Sequence, residues 1–444
     1  MPTRLASDSP HRRFAENIVR QIVEQHHIAY FAGGCVRDDL LGIPPSDYDV
    51  ATSATPEQVR SIFGAHRTLF VGAAFGVVCV HQRIDGVLYQ VEVATFRSDG
   101  DYSDGRRPDR VDYTTPAHDA QRRDFTLNGL FFDPLANKVI DFVNGQKDLE
   151  RRLLRAIGDP HDRFREDKLR LLRAVRIAAR FGFEIEERTQ CAISEMASEI
   201  GVVSPERIAA EMRKMLEHPH RAAAVELLEQ FGLLREVFPD VAEPLAQPNF
   251  RTKTLSRLGS LEAQDFVAAL AILCFASIEW REVKESNPVA TLDESFEFIR
   301  DASDVKTIVS ELKTLWRLSN DDAAALEFTL ASADVFFAAD RAKWSVLQPL
   351  LVSPYIKTAL HFASTILRSD QGHDTPLDRC REAMKLPRLE LNPEPLVDGQ
   401  LLMSLGLPTG PMYARLIKLG RSAQLDGELH NRDDAADWVR QQNQ

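Results

Sequence analysis

The chain has 444 residues, 44% of them hydrophobic and 27% charged, with a formal net charge of −12. That is enough apolar material for sizeable cores in two to four domains, and it excludes a disordered or fibrous chain. The acidic balance also excludes general nucleic-acid coating, so any contact with RNA has to come from a local basic patch.

Residues 1–12 are polar and read as a frayed end. Residues 13–27 (RFAENIVRQIVEQHH) place Ile18, Ile22 and Val23 on one side at helical spacing. IAYFAGG, TLFVG, VVCVHQ and LYQVEVATF are short β-branched and aromatic runs separated by turn residues, which predicts strands. PEQVRSIFGA, between two of them, predicts a helix, so residues 28–145 read as a mixed α/β domain. After Gly158-Asp159-Pro160 the strand signal stops. KLRLLRAVRIAARF, CAISEMASEI and PERIAAEMRKML are helical, as is nearly everything beyond them. Pro248 to Thr254 reads as a boundary between helical units, and residues 368–397, rich in Asp, Pro and Arg, as a second linker. The predicted fold class is α+β. An N-terminal α/β head with a mixed sheet (13–150) is followed by an elongated all-helical neck (151–245), body (246–370) and tail (371–444).

The five cysteines (Cys35, Cys79, Cys191, Cys274, Cys380) are scattered and never at metal-ligand spacing, which points to a reduced, cytoplasmic chain. MPTRLASDSPHRRF lacks an apolar h-region, so no signal peptide is expected. No run of about 18 apolar residues exists, so no membrane span is expected either.

Two features carry chemistry. The first is Ala32-Gly33-Gly34-Cys35-Val36-Arg37-Asp38, followed by Ser46-Asp47-Tyr48-Asp49-Val50. Residues i and i+2 on a strand share a face, so Asp47 and Asp49 can converge on the same metal site. Oxygen-ligated Mg²⁺ held there can activate an attacking hydroxyl and stabilise a departing pyrophosphate. A Gly-Gly turn between strand and helix lets backbone N–H groups approach triphosphate oxygens, and Arg37 can add a bidentate contact. A lone DxD or a lone GG is usually a solvated turn; the ordered combination strand–GG–helix–DxD is far more specific.

The second feature is basic. Lys147 to Arg180 holds eleven Lys or Arg against six Asp or Glu. Within it Asp167, Arg170, Arg173 and Arg176 recur every three residues, which on one helix makes a slanting stripe. A salt-bridged surface helix is the bland alternative. The chemical reading is that a carboxylate accepts from an exocyclic amine while a guanidinium donates to a ring nitrogen. Cytosine and adenine both present an amine beside an acceptor nitrogen. An Asp–Arg pair therefore complements C and A and mismatches U and G.

These motifs resemble a known family. GGCVRDDLLG with DYDVATSATPEQV is similar to the signature of the polymerase β-like nucleotidyltransferase superfamily, and in its longer form to the class II CCA-adding enzymes and bacterial poly(A) polymerases. VEVATFRSDGDYSDGRRP resembles the family's flexible loop, Arg122 to Gly129 (RRDFTLNG) its second motif, and Asp141 to Gly145 with Asp148-Leu149 its third. Arg165 to Arg176 (REDKLRLLRAVR) resembles its nucleotide-reading motif. The match is dense from about residue 28 to 240. The resemblance implies a template-independent, Mg²⁺-dependent transfer of CMP and AMP from CTP and ATP to a tRNA 3′ end. It implies that Glu92 assists Asp47 and Asp49, that Gly34 and Arg37 bind nucleotide, and that Asp167 and Arg170 read the base. Arg123, Arg173 and Arg176 would hold the triphosphate or orient that pair. The loop at Asp99–Arg107 implies that A addition is available. No protein partner is implied. A poly(A) polymerase or A-adding-only enzyme is the rival within the class, and a non-catalytic RNA-binding protein the rival outside it. Val71-Gly72-Ala73-Ala74-Phe75-Gly76 is more similar to the CCA-adding members, because the polymerases carry a more basic stretch there. His161-Asp162 and His373-Asp374 resemble phosphohydrolase HD pairs but lack the partners of that site, and read as surface residues. The four Trp read as core.

Overall fold

The computed structural model describes residues 9–72, 76–99, 111–285 and 302–442. Residues 100–110, which hold most of the Asp99–Arg107 loop expected to make A addition available, lie outside the described residues, as do 73–75 of the Val71–Gly76 stretch. The chain forms two compact units, Met1–Glu211 with Gln230–Val237 and Met212–Glu229 with Phe238–Gln444.

The first unit opens with α1 (Pro10–Glu24), which starts three residues earlier than the periodicity alone predicted. Ser9 caps it by accepting from the Arg12 N–H at 3.1 Å, and Pro10 takes the first position, where no N–H is needed. Next come β1 (Ala29–Ala32), α2 (Gly34–Leu40), β2 (Asp49–Thr52), α3 (Pro56–Phe63), β3 (Thr68–Gly72), β4 (Val77–Ile84) and β5 (Val87–Thr95). A separate ladder of β6 (Arg97–Asp99) and β7 (Val111–Tyr113) precedes α4 (Pro116–Gln121), β8 (Leu130–Asp133) and β9 (Lys138–Asp141). The main sheet runs β3-β4-β5-β2-β1-β8-β9. Its β2–β5 pairing is parallel and the others are antiparallel, so the mixed sheet expected for the head is present. Strand alternation sorts the side chains. Phe31, Tyr48, Val50, Val91 and Val93 pack with Phe14, Ile18 and Val59 of α1 and α3. Ala32, Ala51, Phe96 and Phe131 form a second cluster. Each fully buried large apolar side chain contributes roughly 1.5–3 kcal/mol, which fixes the register of β2 against its neighbours.

Beyond the sheet the unit continues with α5 (Gly145–Glu150), β10 (Leu153–Leu154), α6 (Pro160–Glu166), α7 (Leu169–Phe181), β11 (Glu184–Ile185), α8 (Glu187–Met196) and the part of α9 (Pro205–Leu216) up to Glu211. The strand signal was expected to end at Pro160, yet β11 pairs with β10 in parallel. Two residues are too few to leave a period in the sequence.

The second unit is helical among its described residues. Its helix Phe266–Glu285 is buried on all sides over Ala268–Cys274, packed by helices Pro239–Leu245, Pro248–Ser260, Asn320–Ala331 and Ile356–Gln371. A helix apolar all round requires such enclosure. Pro248 to Thr254 is not a boundary: Pro248 occupies the first turn of a helix running to Ser260. Residues 368–397 are not a free linker either. Leu377 and Cys380 are fully buried with Phe336, Leu347 and Ala359. Trp316 is buried edge-on to Phe238, with ring centroids 5.3 Å apart. Among the described residues no single helix is long and apolar enough to cross a membrane.

Candidate active site

Tyr48 is the pivot of the acidic pair. Its ring is buried 5.3 Å from Phe31 and 5.5 Å from His11. Asp49 opens β2 and Asp47 lies two residues before the strand, and both are exposed. The parallel ladder sets Glu92 of β5 directly beside Asp49, and Glu92 is exposed as well. Neighbouring strands lie about 4.8 Å apart, so registered side chains share a face at close range. Three carboxylates thus crowd one face, and the electrostatics record it. Although Asp49 is exposed at its surface, desolvation by the packed protein around it pushes it up to about 6; Glu92 and Asp47 push in the same direction, and Arg123 and His11 oppose. Among the described residues, no three His, Cys, Asp or Glu side chains are drawn into a closed ligand set. An open face of this kind suits Mg²⁺, which keeps several waters and takes one or two carboxylates plus substrate phosphates.

The glycine turn meets this face through Arg123. Gly33 has φ +74°, a left-handed conformation that favours glycine, and a Cβ there would come within 3.0 Å of Arg123 Nη1. The Gly33 N–H is already donated to Leu130 O at 3.1 Å. Arg123 donates to Asp119 Oδ2 at 3.0 Å and to Asn128 O at 3.3 Å, and lies 5.0 Å from the Phe131 ring centroid. Burial works against the charge of Asp119, but Arg123 and Arg122 outweigh it and hold that carboxyl below the usual range. Gly34 opens α2, and Arg37 one turn on has a buried guanidinium. It donates to Asp38 Oδ1 at 2.7 Å and Asn128 Oδ1 at 2.6 Å, and lies 4.6 Å from the Phe181 ring centroid. Arg37 therefore borders the turn while its donors serve protein acceptors.

Asp167 does not belong to the arginine helix. The helix begins at Leu169, and Asp167 is extended (φ −152°, ψ 105°) at the end of α6. Its Oδ1 accepts from the Leu169 N–H at 3.1 Å, satisfying a donor left open at the start of α7. Its Oδ2 accepts from Arg207 of α9 at 2.6 Å. The predicted stripe on α7 is thus Arg170, Arg173 and Arg176 alone, with Asp167 approaching from the preceding turn. Each of these arginines is paired. Arg170 donates to Glu166 at 2.5 Å and to the Arg163 carbonyl at 2.8 Å. Arg173 clasps Asp124 Oδ2 at 2.6 and 2.9 Å, and Arg176 donates to Glu211 at 2.6 Å. Burial opposes the charge of Asp124, but Arg173, Asn128 and Arg170 together depress it strongly.

Several of these partners were not foreseen. Asp124 and Asn128 lie inside the quoted RRDFTLNG stretch without an assigned role. Arg207 and Glu211 sit one turn apart in PERIAAEM, a spacing that places both on one helix face.

The Poly A polymerase head domain family matches residues 29–155, and the family described as a probable RNA and SrmB- binding site of polymerase A matches residues 182–245. The CCA-adding enzyme of Geobacillus thermodenitrificans is 34% identical over 426 residues, covering 94% of this chain and 93% of that one. The CCA-adding enzyme of Geobacillus kaustophilus is 44% identical over 221 residues, covering 49% of this chain and 53% of that one. Among solved structures, the Bacillus stearothermophilus CCA-adding enzyme in complex with CTP aligns with a TM-score of 0.77 at 27% identity, over 98% of each chain. The Thermotoga maritima CCA-adding enzyme complexed with tRNA shares the fold, with a TM-score of 0.62 at 20% identity over 99% of this chain and 97% of that one.

Proposed function

The chain belongs to the class II CCA-adding enzyme family, and from that premise we propose that it adds CMP and AMP, without a template, to tRNA 3′ ends that lack CCA. The observation that carries the reading is the face shared by Asp47, Asp49 and Glu92, joined by Arg123 to the Gly33 turn. Asp47 and Asp49 would hold Mg²⁺, which when bound would supply activation of the attacking 3′ hydroxyl and charge neutralisation at the departing pyrophosphate. Everything else is done by the chain. Asp47 and Asp49 present neighbouring carboxylates from the entry and first residue of β2. Glu92 concentrates negative charge beside Asp49 and keeps the face attractive to cations. Gly34 keeps the turn open to the triphosphate, and Arg37 and Arg123 set positive charge around it.

Asp167 and Arg170 read the base edge: the carboxylate accepts an exocyclic amine and the guanidinium donates to a ring nitrogen. Their partners, Arg207 and Glu166, hold both in place before a nucleotide arrives. Arg173 and Arg176 hold the triphosphate or orient the reading pair. The head (13–150) thus contains the chemistry and the neck (151–245) the base reading. Arg151 and Arg152 are exposed and available to RNA phosphates. All five cysteines are free thiols, four of them buried, which suits a reducing cytoplasm.

The decisive experiment incubates purified protein with tRNAs ending before CCA, after C and after CC, supplying each NTP separately with Mg²⁺. The expected result is C addition to the first two and A addition to the third. Addition of A alone to all three would leave an A-adding enzyme, and inactivity at every Mg²⁺ concentration would leave a non-catalytic RNA-binding protein.

A further inference from the structure

Behind the RRDFTLNG segment lies a cavity of about 420 Å³ that the reaction described above does not use. That volume falls in the range of ligand-holding clefts. Its floor is apolar, from Val143, Ala156 and Ile157. Arg155, Arg163 and Arg188 stand around it, each held by a carboxylate: Arg155 by Asp148 at 3.1 Å and Glu186 at 3.2 Å, Arg163 by Glu166 at 2.9 Å, and Arg188 by Asp159 at 3.0 Å. Arg188 is open to water, with its side chain 68% exposed. Phe142 is also on the lining and remains 44% exposed, although its edge packs on the Phe131 ring at 6.4 Å. Phe131 is the same ring that lies against Arg123, the guanidinium acting on Asp49. The cavity is therefore one aromatic ring away from the Arg123 end of the acid face.

An apolar floor, an exposed aromatic and guanidinium groups at the rim are the parts that bind one nucleotide of a single strand. The base stacks on the ring, which any base allows, and the planar guanidinium takes the phosphodiester oxygens. The lining has a single carboxylate, Glu186, so it does not reproduce the acidic metal face of the transfer site. We propose that this cavity is a second RNA subsite, which stacks an unpaired nucleotide on Phe142 and holds its phosphate with Arg188 and Arg155. The proposal rests on the reading of the chain as an RNA 3′-end transferase.

The test uses full-length protein and a fluorescently labelled tRNA lacking CCA. Binding is read by anisotropy across a salt series, and C addition by steady-state kinetics, for wild type, Phe142→Ala, Phe142→Tyr, Arg188→Gln and Arg188→Glu. Loss of one stacked base is worth about a tenfold weakening. Phe142→Ala and Arg188→Glu should each raise Kd and KM for the tRNA by about that factor, with KM for CTP as the internal control. Phe142→Tyr should restore binding, and Arg188→Gln should lower the slope of log Kd against log salt by about one phosphate. Arg188 is solvent-exposed, so its variants fold even if Phe142→Ala does not. Active wild type with tRNA affinity unchanged in both Arg188 variants and in Phe142→Ala overturns the subsite. AMP binding lost in Arg188→Glu while tRNA affinity holds also overturns it, and assigns the cavity to a free nucleotide. Inactive wild type is a different failure, that of the transferase reading itself.

Discussion

At the start of β2, Asp47 and Asp49 crowd one exposed face with Glu92 of β5, and desolvation first, then the charge of Glu92, pushes Asp49 up to about 6. On α7, four arginines each meet a carboxylate from outside the helix: Glu166 at the end of α6, and Asp124, Glu211 and Asp38 from farther away. One region stores unbalanced charge and the other has balanced it before any substrate arrives. The difference separates two tasks. An open acid face attracts a cation with its phosphates, and it is strained in the cation's absence. An ion-pair network that is already formed fixes guanidinium groups in space, so on the proposed reading a base edge would meet donors that need not reorganise.

The largest effect should come from the unbalanced region. Asp47→Ala or Asp49→Ala removes one of the two carboxylates proposed to hold the metal, and transfer should fall by more than about a hundredfold. Retention of more than a few per cent of wild-type kcat/KM in either variant would put the metal elsewhere. The balanced region should respond in stability first. Asp124→Ala strips Arg173 of its partner and Asn128 of an acceptor, and breaking such a buried pair costs about 3 kcal/mol. Because Asp124 is depressed in the fold, its contribution is present above the ordinary carboxylate value and disappears as pH falls through the acid range. If Asp124→Ala unfolded in denaturant at the wild-type midpoint, α7 would not depend on that pair.

The two regions were not equally legible in the sequence. Gly33-Gly34 and Asp47-Tyr48-Asp49 lie close together, and strand alternation is a local rule, so their shared face follows from residues in sequence. Glu92 joins it only through the register of β2 on β5, and register is fixed by packing of Val50 and Val93 that no window of sequence contains. The arginines of α7 were legible as a stripe, but their partners were not: Asp124 lies 49 positions from Arg173 and Glu211 lies 35 from Arg176. Asp167 fits the three-residue spacing and yet stands off the helix, because its carboxylate is worth more on the Leu169 N–H at the helix start than inside a turn. The stretch 368–397 was misread for a related reason. Its charged and proline residues hide Leu377 and Cys380, whose burial depends on helices far away in sequence.

A smaller effect tests whether the balanced network also reads a base. Asp167→Ala should lower kcat/KM for CTP and ATP by about tenfold to a hundredfold, since a hydrogen bond to a charged group contributes roughly 1.5–3 kcal/mol. UTP and GTP never make that contact and should lose much less. Equal losses for CTP, ATP and UTP would reduce Asp167 to the partner of Arg207 and the cap of α7.

The smallest effect is the sharpest on the comparison, because it concerns charge that is unbalanced only while the cation is away. Asp49 titrates at about 6 in the metal-free fold against an ordinary 3.8, so folding disfavours its ionised form. The penalty is absent below the ordinary value, grows as pH rises toward 6, and is complete above it. Undiluted, that difference is about 3 kcal/mol; solvent at the exposed carboxylate reduces it to about 1 kcal/mol. Asp49→Asn removes the charge and keeps the shape. Metal-free Asp49→Asn should therefore be about 1 kcal/mol more stable than wild type at pH 7.5 and no more stable at pH 4. Added Mg²⁺ should stabilise wild type and not the variant, closing the gap at neutral pH. A variant less stable than wild type at pH 7.5 without metal would mean that Arg123 and His11 already balance Asp49, and the acid face would then be no more strained than the arginine helix.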